Sequence, residues 1–328
     1  MADYKGIQGF SIQNLSADPS DPVEGQIWYN STSNVWKVQD AATVGSWASG
    51  GNKADQSESA AGAGIQTAAL SFGGNPPTGL PNVSGATEEY NGTSWSPGGS
   101  MVTARSELTG CGTQTAGLAM GGYTTGPLGL SSTEEYDGST WTSSPGSLNT
   151  ARFYLRGAGT QTAGLAFGGY ITAATNATEE YDGSSWTAGG NMGTGRLMSA
   201  AAGIQTAGLG FGGQVSGGVG VNNTEEYDGS AWTTGGNLVA ARLRHLGFGV
   251  QTAALTTGGW NPPATPLVST DLYDGTTWTT STNIPTNVSY GAGAGTTSAG
   301  LAWGGPSTSA SYEWTGAGAL TTKTLTVS

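Results

Sequence analysis

The chain has 328 residues, including 58 glycines and 13 prolines, and its 10 lysines and arginines face 22 aspartates and glutamates, giving a net charge of −12. Such an acidic surface repels phosphate backbones and anionic bilayers, which argues against nucleic-acid binding and membrane-surface roles. No apolar run approaches the ~18 residues of a spanning helix, so we expect no membrane insertion. One histidine and one cysteine supply neither a nitrogen and sulfur cluster for a transition metal nor an intrachain disulfide, so we expect no metal and no cofactor.

Residues 1–43 form a segment of their own before the rest of the chain. The stretch QIWYN alternates apolar and polar residues, a polar turn follows, and NVWKV gives a second strand, so we predict one β-hairpin. An isolated hairpin is marginal in water and must dock on something, either on the rest of this chain or on a larger assembly. The first ten residues lack the basic and apolar regions of a secretory signal peptide, so we expect none.

From residue 64 onward the sequence repeats itself. The segment GTQTAGLAFGG (159–169) has six copies, whose double glycines end at residues 74, 122, 169, 213, 259 and 305. The steps between them are 48, 47, 44, 46 and 46 residues. A second signature, TEEYDGSSW (178–186), follows each copy and is reduced to SYEW (311–314) in the last. A period in the mid-forties is typical of a repeat architecture.

Each copy has the elements of a small antiparallel sheet. QTAGLAFGG predicts a buried strand that ends at a turn requiring positive φ, and TEEYDGSSW predicts two short strands about an Asp-Gly turn. The stretch before each copy carries a fourth strand. One such sheet cannot bury its faces, whereas six arranged radially can, so the prediction is an all-β, six-bladed β-propeller of four-stranded antiparallel blades.

The two ends of the repeat region indicate how the ring closes. VGSWASGGN (44–52) matches WTAGGN (186–191), the outer strand of another copy, and the last copy has no such strand of its own. We therefore expect the strand around Trp47 to complete the blade begun by residues 291–314. The alternative is closure by the C-terminal residues 321–328. The predicted domains are an attachment hairpin at 1–43 and a propeller at 44–328.

Charged and aromatic residues recur at fixed positions of the repeat. Glutamate pairs do acid–base work in glycoside hydrolysis, but a catalytic pair is needed once, and these pairs occur four times. We therefore expect no enzyme and no catalytic residue, and we expect the recurring arginines and glutamates to pair within or between blades. A ring of carboxylates lining a cation or sugar site is the alternative. The structural residues of the repeat are Arg105, Arg152, Arg196 and Arg242; Glu89, Glu135, Glu180 and Glu226; and Trp95, Trp141, Trp186, Trp232 and Trp278.

The loops that follow the double glycines vary in length and content, unlike the rest of the repeat. They include several aromatic residues, and variable loops on a rigid scaffold are the usual way in which such a fold recognises a partner. The alternative is neutral variation in exposed loops. The candidate binding residues are Tyr123, Tyr170, Trp260 and Asn261.

An arginine-led strand, a Gly-Gly after an apolar strand, and then Tyr and Trp together resemble the kelch repeat family. The likeness covers residues 47–314 and implies a kelch-like propeller. The strand before Gly-Gly is less bulky than is usual for kelch repeats, and the last copy lacks the Asp-Gly turn and the Tyr-to-Trp spacing.

The phrase DPVEGQIWYNSTSNVWKV (21–38) resembles a segment of tail-fibre and other structural proteins of bacteriophages, particularly marine ones, and the Gly, Ala and Thr-rich copies resemble repeat proteins of such phages. This resemblance implies a virion protein, assembled in the host cytoplasm in several copies per particle. It would be held to other virion proteins by residues 1–43 and would present its propeller to a host surface glycan or protein. A tail fibre or tail tip is the first expectation. The alternatives are a capsid decoration protein and a free carbohydrate-binding or carbohydrate-active propeller.

Overall fold

The computed structural model of the chain describes residues 13–20, 26–39, 44–76, 83–126, 128–262, 265–306, 308–317 and 322–325. Every regular element within these ranges is a β-strand, and they contain no helix. The chain divides into two compact units, one of residues 46–316 and the other of residues 1–45 together with 317–328. The strands are numbered β1 to β30 in chain order.

Residues 46–316 form six separate four-stranded antiparallel sheets, the blades of a β-propeller, which confirms the predicted fold class. The innermost strands are β5 (Ala61–Ile65), β9 (Thr109–Thr113), β13 (Arg156–Thr160), β17 (Ala200–Ile204), β21 (Leu246–Val250) and β27 (Ala292–Gly295). The second strands are β6 (Ala68–Phe72), β10 (Ala116–Met120), β14 (Ala163–Phe167), β18 (Ala207–Phe211), β22 (Ala253–Thr257) and β28 (Ala299–Trp303). The third strands are β7 (Thr87–Tyr90), β11 (Thr133–Tyr136), β15 (Thr178–Tyr181), β19 (Thr224–Tyr227), β25 (Thr270–Tyr273) and β29 (Ser311–Thr315). The outer strands are β8 (Trp95–Pro97), β12 (Trp141–Ser143), β16 (Trp186–Ala188), β20 (Trp232–Gly235), β26 (Trp278–Thr280) and β4 (Ser46–Ser49).

Blades 1 to 6 are numbered in the order of their innermost strands. Each innermost strand contacts the innermost strands of the two neighbouring blades, including β27 with β5, so the six strands surround a central channel. Glycine and alanine dominate these strands because the blades converge there. A Cβ added to Gly110 of blade 2 would lie only 2.3 Å from Cζ of Phe72 in blade 1, which shows how closely two blades approach.

The two predicted turns of the repeat are present in the structure. In blade 3 the second strand ends at Gly168 and Gly169, whose φ values are +62° and +101°, as the double glycine requires. The turn between the third and outer strands spans four residues, because Tyr181 pairs directly with Trp186. Asp182 closes this turn by accepting the backbone N–H groups of the residues two and three positions later, each at 2.7–2.8 Å.

The ring closes as first predicted. Strand β4 pairs antiparallel with β29, with Trp47 opposite Trp314, so the N-terminal strand supplies the outer strand of blade 6. The alternative closure by residues 321–328 is wrong, because β30 (Thr322–Leu325) pairs with β3 (Val35–Gln39) in the other unit.

The other unit contains the predicted hairpin, formed by β2 (Ile27–Asn30) and β3. Its sheet has two further strands, because β1 (Gln13–Leu15) pairs parallel to β2 and β30 pairs with β3. The predicted domain 44–328 included the C-terminal residues with the propeller, whereas strand β30 adds to the hairpin sheet. The carboxylate of Asp18 accepts hydrogen bonds from Lys37, Asn30 and Trp28, and these bonds, led by that of Lys37, lower its pKa to about 2.

Hydrogen bonds between side chains join neighbouring blades at regular positions. The indole Nε1 of each outer-strand tryptophan donates to a threonine or serine at the start of the third strand in the preceding blade. The bonded pairs are Trp141 with Thr87, Trp186 with Thr133, Trp232 with Thr178 and Trp278 with Thr224, each at 2.9 Å, Trp47 with Thr270 at 3.0 Å, and Trp95 with Ser311 at 3.3 Å. The six bonds form a closed series around the ring.

A glutamine in the turn between the first two strands also reaches back to the preceding blade. Nε2 of Gln161 donates to the backbone carbonyls of Gly117 at 3.1 Å and Tyr136 at 2.7 Å. The same two bonds are made by Gln66, Gln114, Gln205 and Gln251. The sixth copy has Thr297 at this position.

The two carboxylates of each glutamate pair have different partners. The first lies buried within its own blade and pairs with a buried cation, because successive side chains of a strand point to opposite faces. These ion pairs are Lys53–Glu88, Arg105–Glu134, Arg152–Glu179, Arg196–Glu225 and Arg242–Asp271. Blade 6 has apolar or aromatic residues at both positions, the buried Val288 and Tyr312.

The second carboxylate accepts a hydrogen bond from the tyrosine of the following blade. The bonds join Tyr90 to Glu313, Tyr136 to Glu89, Tyr181 to Glu135, Tyr227 to Glu180 and Tyr273 to Glu226, at 2.5–2.6 Å. Burial is the larger cause and the hydrogen bond to the carboxylate the second cause that raises the pKa of each tyrosine to about 12, so the hydroxyls remain donors. At the seam between blades 5 and 6 both positions are apolar, with Leu272 packed against the cluster that contains Trp314.

Candidate functional site

The variable loops and one end of the central channel lie on the same face of the propeller. Each loop starts where a second strand ends, and that point is beside the start of the antiparallel innermost strand. Backbone bridges fix this proximity. Tyr123 bridges to Ser106, and Tyr170 bridges to Phe153. We call this side of the propeller the loop face.

Two of the four predicted binding residues come together on the loop face. Tyr123 and Tyr170 each pack against Phe153, with ring centroids 5.4 Å and 5.3 Å apart, and Phe153 also contacts Tyr154 at 4.9 Å. All four rings are partly exposed. We call these four residues the aromatic cluster, and it offers a rigid, amphipathic contact surface.

The other two predicted residues lie elsewhere on the loop face. Trp260 and Asn261 form strand β23, which pairs with β24 (Thr265–Pro266) in a two-stranded ribbon. Both side chains are partly buried. The backbone of Trp260 bridges to Leu243, just as Tyr170 bridges to Phe153 in blade 3. Among the described residues, no ring contact joins Trp260 to the aromatic cluster.

The channel opens on the loop face through a ring of six residues, one from each blade. All six are non-glycine residues in the left-handed region, with φ between +51° and +61°. Each backbone N–H donates to the carbonyl of its counterpart in the preceding blade, at 2.7–3.1 Å, so the bonds close into a circle. We call these residues the mouth ring; they are Ser59, Glu107, Tyr154, Met198, Arg244 and Tyr290.

The six residues of the mouth ring share one backbone conformation, whereas their side chains vary. Arg244 lies over the rings of Tyr290, at 4.0 Å, and Tyr154, at 5.1 Å. Its Nη1 is 3.5 Å from the carboxylate of Glu107, which also accepts a hydrogen bond of 2.7 Å from the Ser59 hydroxyl. Burial raises the pKa of Glu107, and the Arg244 charge opposes that shift.

One further cation, Arg156, lines the channel just inside the mouth ring. Its Nε donates to the carbonyl of Ser199 in blade 4, and its Nη1 donates to the carbonyl of Leu155 at 3.0 Å. Burial lowers its pKa to about 10, which leaves the guanidinium charged at neutral pH. Nearby His245 is buried and bonded through Nδ1 to the Thr256 hydroxyl at 2.7 Å, and burial lowers its pKa well below its ordinary value.

These residues surround a cavity of about 100 Å³ at the mouth of the channel. Its charged lining groups are two guanidiniums, from Arg156 and Arg244, and the carboxylate of Glu107, since His245 is neutral. The site therefore carries a net positive charge within a protein of net charge −12. Deeper in the channel the lining changes to glycine and alanine with Cys111 and Phe248.

The sequence reasoning missed Phe153, Arg156 and the mouth ring, although a signal for Arg156 and for four of the mouth-ring residues is present. Aligned on their arginines, four copies give ARSELTG (104–110), ARFYLRG (151–157), GRLMSAA (195–201) and ARLRHLG (241–247). The positions two and four residues after the arginine vary among Glu, Tyr, Met and Arg and among Thr, Arg, Ala and Leu. Variation at a fixed position inside a repeat marks these residues as distinct from the scaffold.

No protein-family model matches this chain, and no curated protein matches it. The class of the protein is given by its fold, an all-β chain with a six-bladed propeller. Within the described ranges no group of three or more His, Cys, Asp or Glu side chains is placed to hold a metal ion. In the same ranges there is no helix long and apolar enough to cross a membrane.

Proposed function

We propose that this chain is a non-enzymatic binding protein that presents the loop face of its propeller to a surface glycan or protein receptor. The observation that carries the proposal is the contrast between the two parts of the repeat. The side chains that join the blades recur almost unchanged, whereas those around the channel mouth and on the loops vary from blade to blade. A rigid scaffold with divergent residues on one face is typical of a recognition surface.

The aromatic cluster supports a receptor of the glycan type. Its rings combine apolar faces with hydroxyl groups, and each has few rotatable bonds to immobilise on binding, so little conformational entropy is lost. Sugars present both C–H faces and hydroxyls, which suit such rings. Aromatic anchors of this kind often dominate the free energy of an interface.

The resemblance to kelch repeats and to phage structural proteins gives the setting of the proposal. In this proposal the protein is a virion component of a bacteriophage, on the tail fibre or tail tip, and residues 1–43 attach it to other virion proteins. Several copies on one particle turn weak individual contacts into strong avidity, provided that they engage together.

The test of receptor binding measures attachment of the purified full chain to host cells and to an array of surface glycans. Replacing Tyr123 and Tyr170 with alanine is expected to weaken binding at least about tenfold, because aromatic hot spots contribute about 2 kcal/mol or more. The matched control replaces Ile65 and Val250, which are exposed at the opposite end of the innermost strands, and it should leave binding unchanged. Equal binding by the two double variants would refute the assignment of the loop face.

The attachment proposal has a separate test. Cryo-electron microscopy of intact particles is expected to place residues 1–43 against another virion protein while the loop face points outward. A particle in which the loop face is the attached side would overturn this arrangement.

A further inference from the structure

We infer that the mouth of the central channel binds a carboxylate-bearing sugar, with Arg156 as the residue that receives the carboxylate. The inference deepens the proposed function and rests on it for the nature of the ligand. It names the acidic part of a glycan as the group that enters the channel.

Among the described residues, Arg156 differs from the other cations of the propeller in having no carboxylate within 4 Å. Residues 46–316 contain seven cations, namely Lys53, Arg105, Arg152, Arg156, Arg196, Arg242 and Arg244. Six of them have a carboxylate within 4 Å. Arg156 has none among the described residues, in a protein with a large excess of acidic groups. Arg156 is only partly exposed and Glu107 acts on it from beyond ion-pair distance, so its guanidinium is incompletely compensated and a bound anion would complete the pairing.

Hydrogen bonds to the backbone hold the Arg156 side chain in one orientation. Two backbone carbonyls fix its Nε and one N–H of Nη1. Its Nη2 donates no hydrogen bond to any residue that the structure describes, so the edge formed by Nη1 and Nη2 retains free N–H groups. That edge of a guanidinium matches a carboxylate in a planar, bidentate arrangement. Because the protein already holds the group in place, a ligand need not order it.

The cavity that Arg156 lines has room for a ligand. The corresponding positions of the other five blades have smaller or apolar side chains, namely Ala61, Thr109, Ala200, Leu246 and Ala292. The cavity of about 100 Å³ has several times the volume that one buried water requires, about 10–15 Å³ by the same kind of measure. It therefore admits a carboxylate and adjoining sugar-ring atoms, with the rest of the glycan on the loop face.

The remaining wall of the cavity has polar and aromatic groups that suit a sugar. The Glu107 carboxylate and the Ser59 hydroxyl supply hydrogen-bonding groups for sugar hydroxyls. The ring of Tyr290 is partly exposed and is fixed by the guanidinium of Arg244. A site with one carboxylate and two guanidiniums favours an anion over a cation.

The test uses the full-length protein and isothermal titration calorimetry with methyl glucuronide, methyl galacturonide and the uncharged methyl galactoside. We expect both uronides to bind and the uncharged sugar to bind at least about tenfold more weakly, since a hydrogen-bonded charge contributes about 1.5–3 kcal/mol. Arg156→Gln should weaken uronide binding by about 10-fold to 100-fold. The affinity of Arg156→Lys should lie between those of the parent protein and the glutamine variant, because lysine keeps the charge but lacks the planar, two-pronged donor of the guanidinium.

Three results would overturn the inference. They are equal affinity for charged and uncharged sugars, unchanged uronide affinity in Arg156→Gln, and inorganic phosphate or sulfate that binds as tightly as the uronides. Thermal melting of each variant controls for folding, and Arg156→Lys provides the comparison should the glutamine variant melt early. If uronides fail to bind while the Tyr123 and Tyr170 variant loses receptor binding, the inference falls and the proposed function stands. Uronide binding through Arg156 without any receptor binding refutes the proposed function instead.

Discussion

The ion pair of Arg152 and Glu179 gives a direct measure of what the recurring charges do. The arginine is fully buried, its Nη2 is 3.0 Å from the carboxylate, and its Nη1 donates to the carbonyls of Gly168 at 3.1 Å and Ala177 at 2.8 Å. The substitution Arg152→Val removes the cation and leaves a buried carboxylate whose remaining donors come from Asn149. Breaking a buried pair in this way is expected to cost about 3–5 kcal/mol of unfolding free energy.

Blade 6 has uncharged residues at the positions that this ion pair occupies in blade 3. It has Val288 where blades 2 to 5 have an arginine and Tyr312 where blades 1 to 5 have a carboxylate, and both are buried in one cluster. Replacing a buried ion pair with packed uncharged residues is often close to neutral. The double variant Arg152→Val with Glu179→Tyr is therefore expected to be more stable than either single variant.

Urea denaturation followed by tryptophan fluorescence measures these free energies, provided that a single transition is seen. Val288→Arg is the matched control, because it buries a guanidinium without a carboxylate and should destabilise by a comparable amount. A loss below about 1 kcal/mol in Arg152→Val, or a double variant as unstable as the sum of the two singles, would refute the reasoning.

Three further outcomes follow from single contacts. Trp186→Phe removes the bond to Thr133 and should cost about 1 kcal/mol in the same assay, whereas Trp95→Phe, with a longer bond and a partly exposed ring, should cost less. Burial raises the pKa of the Cys111 thiol to about 12, so Ellman's reagent at pH 8 should label it only after unfolding; rapid labelling of the native protein would contradict this. Hydrogen bonds in the four-residue turns lower the pKa of exposed aspartates, to about 2 in two of them, so their stabilisation is present above pH 4 and lost as the pH falls through 2. The turn of blade 1 has Asn91 instead, so replacing all four turn aspartates (Asp137, Asp182, Asp228 and Asp274) with asparagine should keep the fold. Thermal melting from pH 4 to pH 2 should then show a smaller loss of stability than in the parent protein. An unchanged loss would show that the acid sensitivity arises elsewhere.

The architecture was predictable from the sequence because the same local signals recur from copy to copy. The double glycine, the Asp-Gly turn and the matching outer strand at Trp47 each specify a backbone feature that depends only on neighbouring residues. Because those signals are local, they can be interpreted without knowledge of how the blades pack. The alternation of side chains along a strand also implies that Glu134 and Glu135 face opposite ways, although their partners come from distant parts of the chain.

The candidate site was harder to predict from the sequence, for a physical reason. Tyr123 and Tyr170 stood out as aromatic residues in variable loops, but Phe153, which joins them, lies in a stretch that the sequence assigns to the scaffold. Arg156 and Glu107 likewise occupy positions next to an innermost strand. Their meeting at the channel mouth depends on ring closure, which brings together residues from different blades that are about 50 to 140 positions apart.

The last blade shows that the scaffold contacts change in pairs. Where blade 5 has Leu272 in place of a glutamate, blade 6 has Trp314 in place of the tyrosine that would donate to it, so neither a carboxylate nor a hydroxyl is left buried without its partner. Val288 and Tyr312 replace the ion pair in the same paired manner. A buried polar group without a partner costs about 1–3 kcal/mol, so one change requires the other. Arg156 departs from this rule among the described residues, because no carboxylate lies within 4 Å of its guanidinium, although Glu107 lines the same cavity. In the inference above, the carboxylate of a bound sugar takes the place of that missing ion-pair partner.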